Sequence, residues 1–140
     1  MALRITLKPR ERLVINGALI RNGDRNGDIL IETPCRFLRE SEIIHESAVD
    51  TPCKQLWMTL QMIHLSEEPE AVFGLLFTQA AEILKAMPEA APYVAEISRA
   101  LEGKHTHKAL KVVRRLVQHE ALARRADDPA QVERAGASAA

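Results

Sequence analysis

Within residues 16–27 the chain reads NGALIRNGDRNG, three Asn-Gly pairs, the first two separated by the short run ALIR and the last two by Asp24-Arg25. Asn and Gly tolerate the positive φ that two-residue hairpin turns require. Such spacing forces frequent chain reversal and leaves no room for a helix. A calcium loop is the competing reading, because oxygen ligands alternate around Gly27. An EF-hand loop needs a bidentate Glu at its twelfth position; counted from Asp24, that position is Cys35, and no helical pattern flanks the stretch. The pairs therefore read as hairpin punctuation.

The runs between the turns have strand character. Leu3, Ile5 and Leu7 alternate with Arg4, Thr6 and Lys8, and Pro9 ends the pairing. Arg12 to Ile15 and Ala18 to Arg21 flank the first turn, DILIE at 28–32 is a further short run, and 36–39 is the last. So small a sheet cannot bury both faces alone and has to rest on other elements or on another chain.

Near residue 51 the period changes. Thr51-Pro52 is an N-cap followed by Pro at the first helical position. CKQLWMTLQMIHL is then apolar almost all round. Val72, Phe73, Leu76, Ala80, Ile83, Leu84 and Met87 recur at helical spacing, and a third helix runs from near Pro92 to Leu101, with Gly103 as its C-cap. A fourth, about His105 to Ala126, places Ala109, Val112, Val113, Leu116, Val117 and Leu122 on its core face. The pattern predicts an α+β protein, with a small N-terminal antiparallel β unit (1–45) followed by a bundle of about four α-helices (46–126). Residues 127–140 lack an apolar period and are expected to form a disordered tail.

The 140 residues carry no net charge, but the charge is segregated. Residues 1–39 are net +4, 40–65 net −3, 66–103 net −5 and 104–126 net +6. Two basic segments bracketing an acidic middle leave room for a local anionic ligand, or neutralise one another across the fold. Cys35 and Cys53 match no zinc or redox spacing. No apolar window approaches signal-peptide or membrane-span length, so a cytoplasmic protein with no membrane partner is expected. The five histidines form no cluster with Cys or paired carboxylates, and no Gly-rich phosphate loop leads into a helix. Neither catalysis nor a cofactor or metal site is expected.

Two basic surfaces remain as candidates. One is the β face, where Arg4, Thr6 and Lys8 share a side of the first strand and Arg36 and Arg39 would join them if the last strand lay alongside. The other is the stripe Lys104, Lys108, Lys111 and Arg115, with Arg114 beside it, on the last helix. Either could hold phosphates or an acidic protein surface; the stripe is equally a solvated helix face.

The order LRITLKPRERLVINGALIRNGD, ILIE, FLRESEII and DTPCKQLWMTLQMIHL resembles the FlbT flagellum biosynthesis repressor family, a resemblance that covers about residues 2–115 and is strongest in the first 65. Arg10 stands where that family has Gly. The resemblance implies a post-transcriptional regulator that associates with the 5′ untranslated region of flagellin mRNA, reduces its translation or lifetime, and works with a second small protein, FlaF. The β pattern is also similar to that of the carbon storage regulator family, through Ile5-Thr6, Glu11, Ile15-Asn16-Gly17 and Leu38-Arg39-Glu40, although Leu7 replaces a basic residue there. That likeness implies an RNA surface of Ile5, Thr6, Lys8 and Arg39, and a homodimer through the β unit in which the first strand pairs with a second chain. The rival reading is a protein adaptor whose helical half docks FlaF or flagellin, with an indirect effect on mRNA.

Overall fold

The computed structural model describes residues 2–127. The chain forms five strands and then four α-helices: β1 (Leu3–Leu7), β2 (Arg12–Ile15), β3 (Ala18–Arg21), β4 (Gly27–Ile31), β5 (Phe37–Arg39), α1 (Pro52–Leu65), α2 (Phe73–Ala86), α3 (Ala91–Glu102) and α4 (Thr106–Asp127). This is the α+β arrangement the periodicities predict. The expected tail lies outside the described residues from 128 on.

The strands make two sheets. β1 pairs antiparallel with β4, and β2 lies between β3 and β5, antiparallel to both. Asn16 (φ 47) and Gly17 (φ 86) both take positive φ, so the first Asn-Gly is the two-residue hairpin turn of favoured twist. The other two pairs have no positive φ and serve differently. The Asn22 side-chain amide donates to the carbonyls of Lys8 and Arg25, each at 2.8 Å, and to that of Leu7 at 3.3 Å. It pins the β3–β4 link onto the end of β1, and Gly27 opens β4.

The β2–β5 sheet is the middle of three layers. Its register sets Leu13 opposite Arg39, Val14 opposite Leu38 and Ile15 opposite Phe37. Side chains alternate across a strand. Leu13, Ile15 and Phe37 accordingly join Ile5, Leu7, Ile29 and Ile31 of the β1–β4 sheet in a small core, while Leu38, fully buried, enters the core of the helices. Leu3, at the rim, is 46% exposed.

Thr51 caps α1 as its spacing predicts, its Oγ1 accepting from the Lys54 N–H at 3.2 Å. On α4 the buried stripe is Ala109, Leu110, Val112, Val113 and Leu116, continuing to Glu120. Leu122 is 64% exposed, contrary to the pattern reading, because it lies on the opposite face from Glu120 at 100° per residue. Glu120 takes the inner position because the N-terminus of α1 arrives there; its carboxylate accepts from the Cys53 N–H at 3.2 Å, where the helix dipole favours an anion. Burial, with Glu120 beside it, pushes the Cys53 thiol up to about 12, so it stays protonated. Both cysteines are free. Among the described residues, no helix is long and apolar enough to cross a membrane.

Candidate functional site

The β-face candidates do not gather as one cluster. On the exposed side of the β1–β4 sheet the Arg4 guanidinium is bound to Asp28, which also accepts from the Thr6 hydroxyl at 2.8 Å. These bonds, that from Arg4 foremost, hold the Asp28 carboxyl below its ordinary range. Ile5 points the other way and is buried in the small core. Lys8 lies just past β1, exposed.

Because β5 pairs with β2 and not with β1, Arg36 and Arg39 part company. Arg39 turns toward β1, donating to the Thr6 carbonyl at 2.8 Å and to both oxygens of Glu11 at 3.2 Å. The Lys8 N–H and then Arg39 hold the Glu11 carboxyl low, against the opposing effect of burial. Arg39 thus fastens the two sheets together. Arg36 turns to the bundle, where its guanidinium donates to the Ser66 carbonyl at the end of α1.

That move places Arg36 beside the other candidate surface. One groove is lined by Arg36, His64, Lys104 and Thr106 together with Glu67, Glu70 and Glu102. The next shares Lys104 and adds His105, Lys108 and Lys111. A further groove shares Lys108 and Lys111 and continues to Arg114, Arg115 and Gln118. The last two grooves share Lys108 and Lys111 and have no carboxylate in their lining, so they form one basic track along α4, whereas the Arg36 groove beside it sets three glutamates against Arg36 and Lys104. Arg115 is committed to Glu96 at 2.8 Å, and the Arg114 guanidinium lies 6.0 Å from the centre of the Trp57 ring. Lys104, Lys108 and Lys111 are exposed and make no ion pair among the described residues.

Lys104 is also strained. The chain leaves α3 with His105 N–H bonded to Ala100 O and Lys104 N–H bonded to Leu101 O, the double closure that needs a left-handed residue just past the C-cap. Gly103 is the C-cap but has φ −82; the left-handed position, φ 60, falls to Lys104. Glycine would occupy it without the side-chain clash. Lys104→Gly is therefore expected to raise stability by about 1 kcal/mol while removing one cation from the track. Urea denaturation checks the first effect, and a stability loss would contradict this account of the turn.

A histidine junction lies between the track and the β unit. His64 is buried, its Nε2 within 2.9 Å of the Phe37 carbonyl and its Nδ1 within 2.6 Å of the Thr106 hydroxyl. A carbonyl only accepts, so the proton sits on Nε2 and the neutral ring accepts at Nδ1. The His107 ring stacks on it at 5.7 Å and bonds Glu42 at 2.5 Å, and Glu42 in turn accepts from the Arg39 N–H. Burial is the main cause that pushes the His64 pKa down; His107 and Arg36 add to it, against the Phe37 carbonyl and Glu42. A histidine held neutral by folding binds its proton more readily when unfolded. Stability is therefore expected to be full above the unfolded value of 6.5 and to fall over the pH range below it. Urea midpoints across that range check it, and His64→Gln should flatten the decline. Nothing in the sequence pairs His107 with Glu42, 65 positions away.

Comparison with known proteins follows the same boundaries as the fold. The family model described as "Flagellar protein FlbT" matches residues 3–123, from β1 through most of α4. The chain is 30% identical over 121 residues to the "Probable flagellum biosynthesis repressor protein FlbT 1" of Bradyrhizobium diazoefficiens, covering 86% of this chain and 83% of that one. It is 30% identical over 123 residues to the "Flagellum biosynthesis repressor protein FlbT" of Caulobacter vibrioides, covering 86% and 87%. With the relative from Rhodopseudomonas palustris the identity is 31% over 120 residues, covering 86% and 95%. No solved structure gives a significant match. Both the family model and these relatives span the β unit and the helices alike, and on that ground this chain is a member of the FlbT family of flagellar proteins.

Proposed function

We propose that this protein regulates flagellum biosynthesis post-transcriptionally, as a repressor that binds the 5′ untranslated region of flagellin mRNA. Its relatives carry the name of flagellum biosynthesis repressors. The observation that carries the RNA reading is the track from Lys104 to Arg115, in which Lys104, Lys108 and Lys111 have no anionic partner among the described residues. Lysines in a row on one helix face suit the evenly spaced charges of a phosphate backbone, and binding one releases counterions. The action is steric and not catalytic: protein seated on the leader obstructs ribosome access or opens the message to decay. It takes place in the cytoplasm, where the message is.

A protein-docking role has its own support. Met62 on α1 and Leu75 and Phe77 on α2 are 50%, 50% and 52% exposed, separate apolar positions on the helical half that a protein such as FlaF or flagellin would cover. The test titrates purified protein with the flagellin leader and with a scrambled RNA of equal length over rising salt. Preference for the leader that persists at moderate salt supports direct recognition. Equal weak binding that vanishes with salt removes it and leaves the adaptor reading.

A further inference from the structure

Arg12 and Arg21 are direct partners across the β2–β3 ladder. Directly opposed side chains in an antiparallel pair share one face and stand about 5 Å apart at Cβ, and like charges there destabilise the pairing. Carboxylates close by would offset that cost, yet none at this end of the β unit forms an ion pair with either guanidinium among the described residues. Glu11 holds Arg39 and the Lys8 N–H, and Asp24 pairs with Arg10 at 3.3 Å. Asp28 holds Arg4 and Thr6, and Glu40 accepts from the Arg12 backbone N–H, not from its guanidinium. Glu32 follows β4 at the opposite end of the β1–β4 ladder, beyond the Leu3–Ile31 pair.

Two more cations lie at the same end of the ribbon but toward its other face, because Asn22, one residue after Arg21, turns its side chain away from the Arg12–Arg21 face. The Asn22 amide holds the carbonyls of Lys8 and Arg25 at 2.8 Å each, so these residues flank the residue that follows Arg21. Both are exposed, and neither forms an ion pair among the described residues. Even Arg10, which is paired, sits at φ 61, a conformation that glycine adopts without strain. None of Lys8, Arg12, Arg21 and Arg25 lines the grooves of the α4 track.

We propose that Arg12 and Arg21 form a second phosphate-binding site, which takes the backbone of a single RNA strand separately from the α4 track. The proposal rests on the RNA-binding reading and deepens it. A polyanion with one charge per nucleotide answers the paired guanidinium groups, whereas an added acidic strand would turn its carboxylates to alternate faces. Planar guanidinium groups bond phosphate oxygens in bidentate fashion. Leu19 projects from the same face as Arg21 and is 64% exposed, an apolar rest for an unstacked base.

The test compares wild type with Arg12→Gln/Arg21→Gln for binding to the flagellin leader, to an oligouridine and to a glutamate-rich peptide across a salt series, with Tm recorded. Arg21→Thr, at an exposed position, serves as the milder variant. The expected result is weaker binding of both RNAs and a log K against log salt slope shallower by about 1.4, at about 0.7 per lost contact. Tm should stay level or rise, because a like-charge pair has been removed. A wild type that binds the leader and variants that bind it equally well, with unchanged slope, would overturn this site and leave the α4 reading standing. A wild type that binds neither RNA ends both. Capture of the peptide as tightly as RNA, lost in the variants, would assign the site to an acidic protein instead.

Discussion

Leu38→Ala is expected to destabilise the protein by about 2–5 kcal/mol, a large part of the roughly 5–15 kcal/mol that holds a domain of this kind together. Leu38 is fully buried and is the side chain by which β5 enters the helical core. Truncation removes its transfer energy and leaves a cavity between sheet and bundle. Neighbouring side chains are tied on both sides: Phe37 through its carbonyl to His64, and Arg39 through its guanidinium to Glu11. Local collapse to fill the space is therefore restricted. Urea unfolding with an unchanged m value would measure the loss. Leu122→Ala, at a site 64% exposed, is the matched control and should fall within about 0.5 kcal/mol of wild type. A comparable small loss at Leu38 would mean that β5 does not anchor the two parts.

Lys108→Glu/Lys111→Glu is expected to weaken leader RNA binding at least about tenfold at moderate salt. Each lost phosphate contact removes about 0.7 from the salt slope, and each new carboxylate repels the backbone as well. Both side chains are exposed and make no ion pair among the described residues, so the fold should be unaffected. Far-UV circular dichroism and the Tm would verify that. Unaltered affinity in a folded variant would take the RNA reading away from α4. Arg39→Ala, attractive from sequence, is the poorer probe: it unfastens Glu11 and Thr6, so lost binding would report a loosened β unit as much as a lost contact.

What could be read from sequence was local. Turn chemistry located the Asn16-Gly17 hairpin, since positive φ at both positions is a property of those two residues. Thr51-Pro52 announced α1 for the same kind of reason. Partners distant in the chain could not be read. That β5 lies against β2 and not β1 depends on which face each strand buries, and it decides that Arg36 joins Lys104 while Arg39 joins Glu11. Helical periodicity wanted an apolar residue near the end of α4 and took Leu122; the inner position belongs to Glu120 because another helix begins there. On α4 the sequence displayed the cations, but only the fold distinguishes Lys108 and Lys111 from Arg115, already claimed by Glu96.

The middle layer has a consequence for how this protein can change over evolutionary time. A sheet with one face in a small core and the other in the helical core cannot be shuffled as an independent module. A recombination breakpoint between Glu42 and α1 would hand the helices a stranger in place of Leu38, and would give Glu42 and His107 to different parents. Viable descendants should inherit both parts from one ancestor, with drift on either side of the junction corrected by the other.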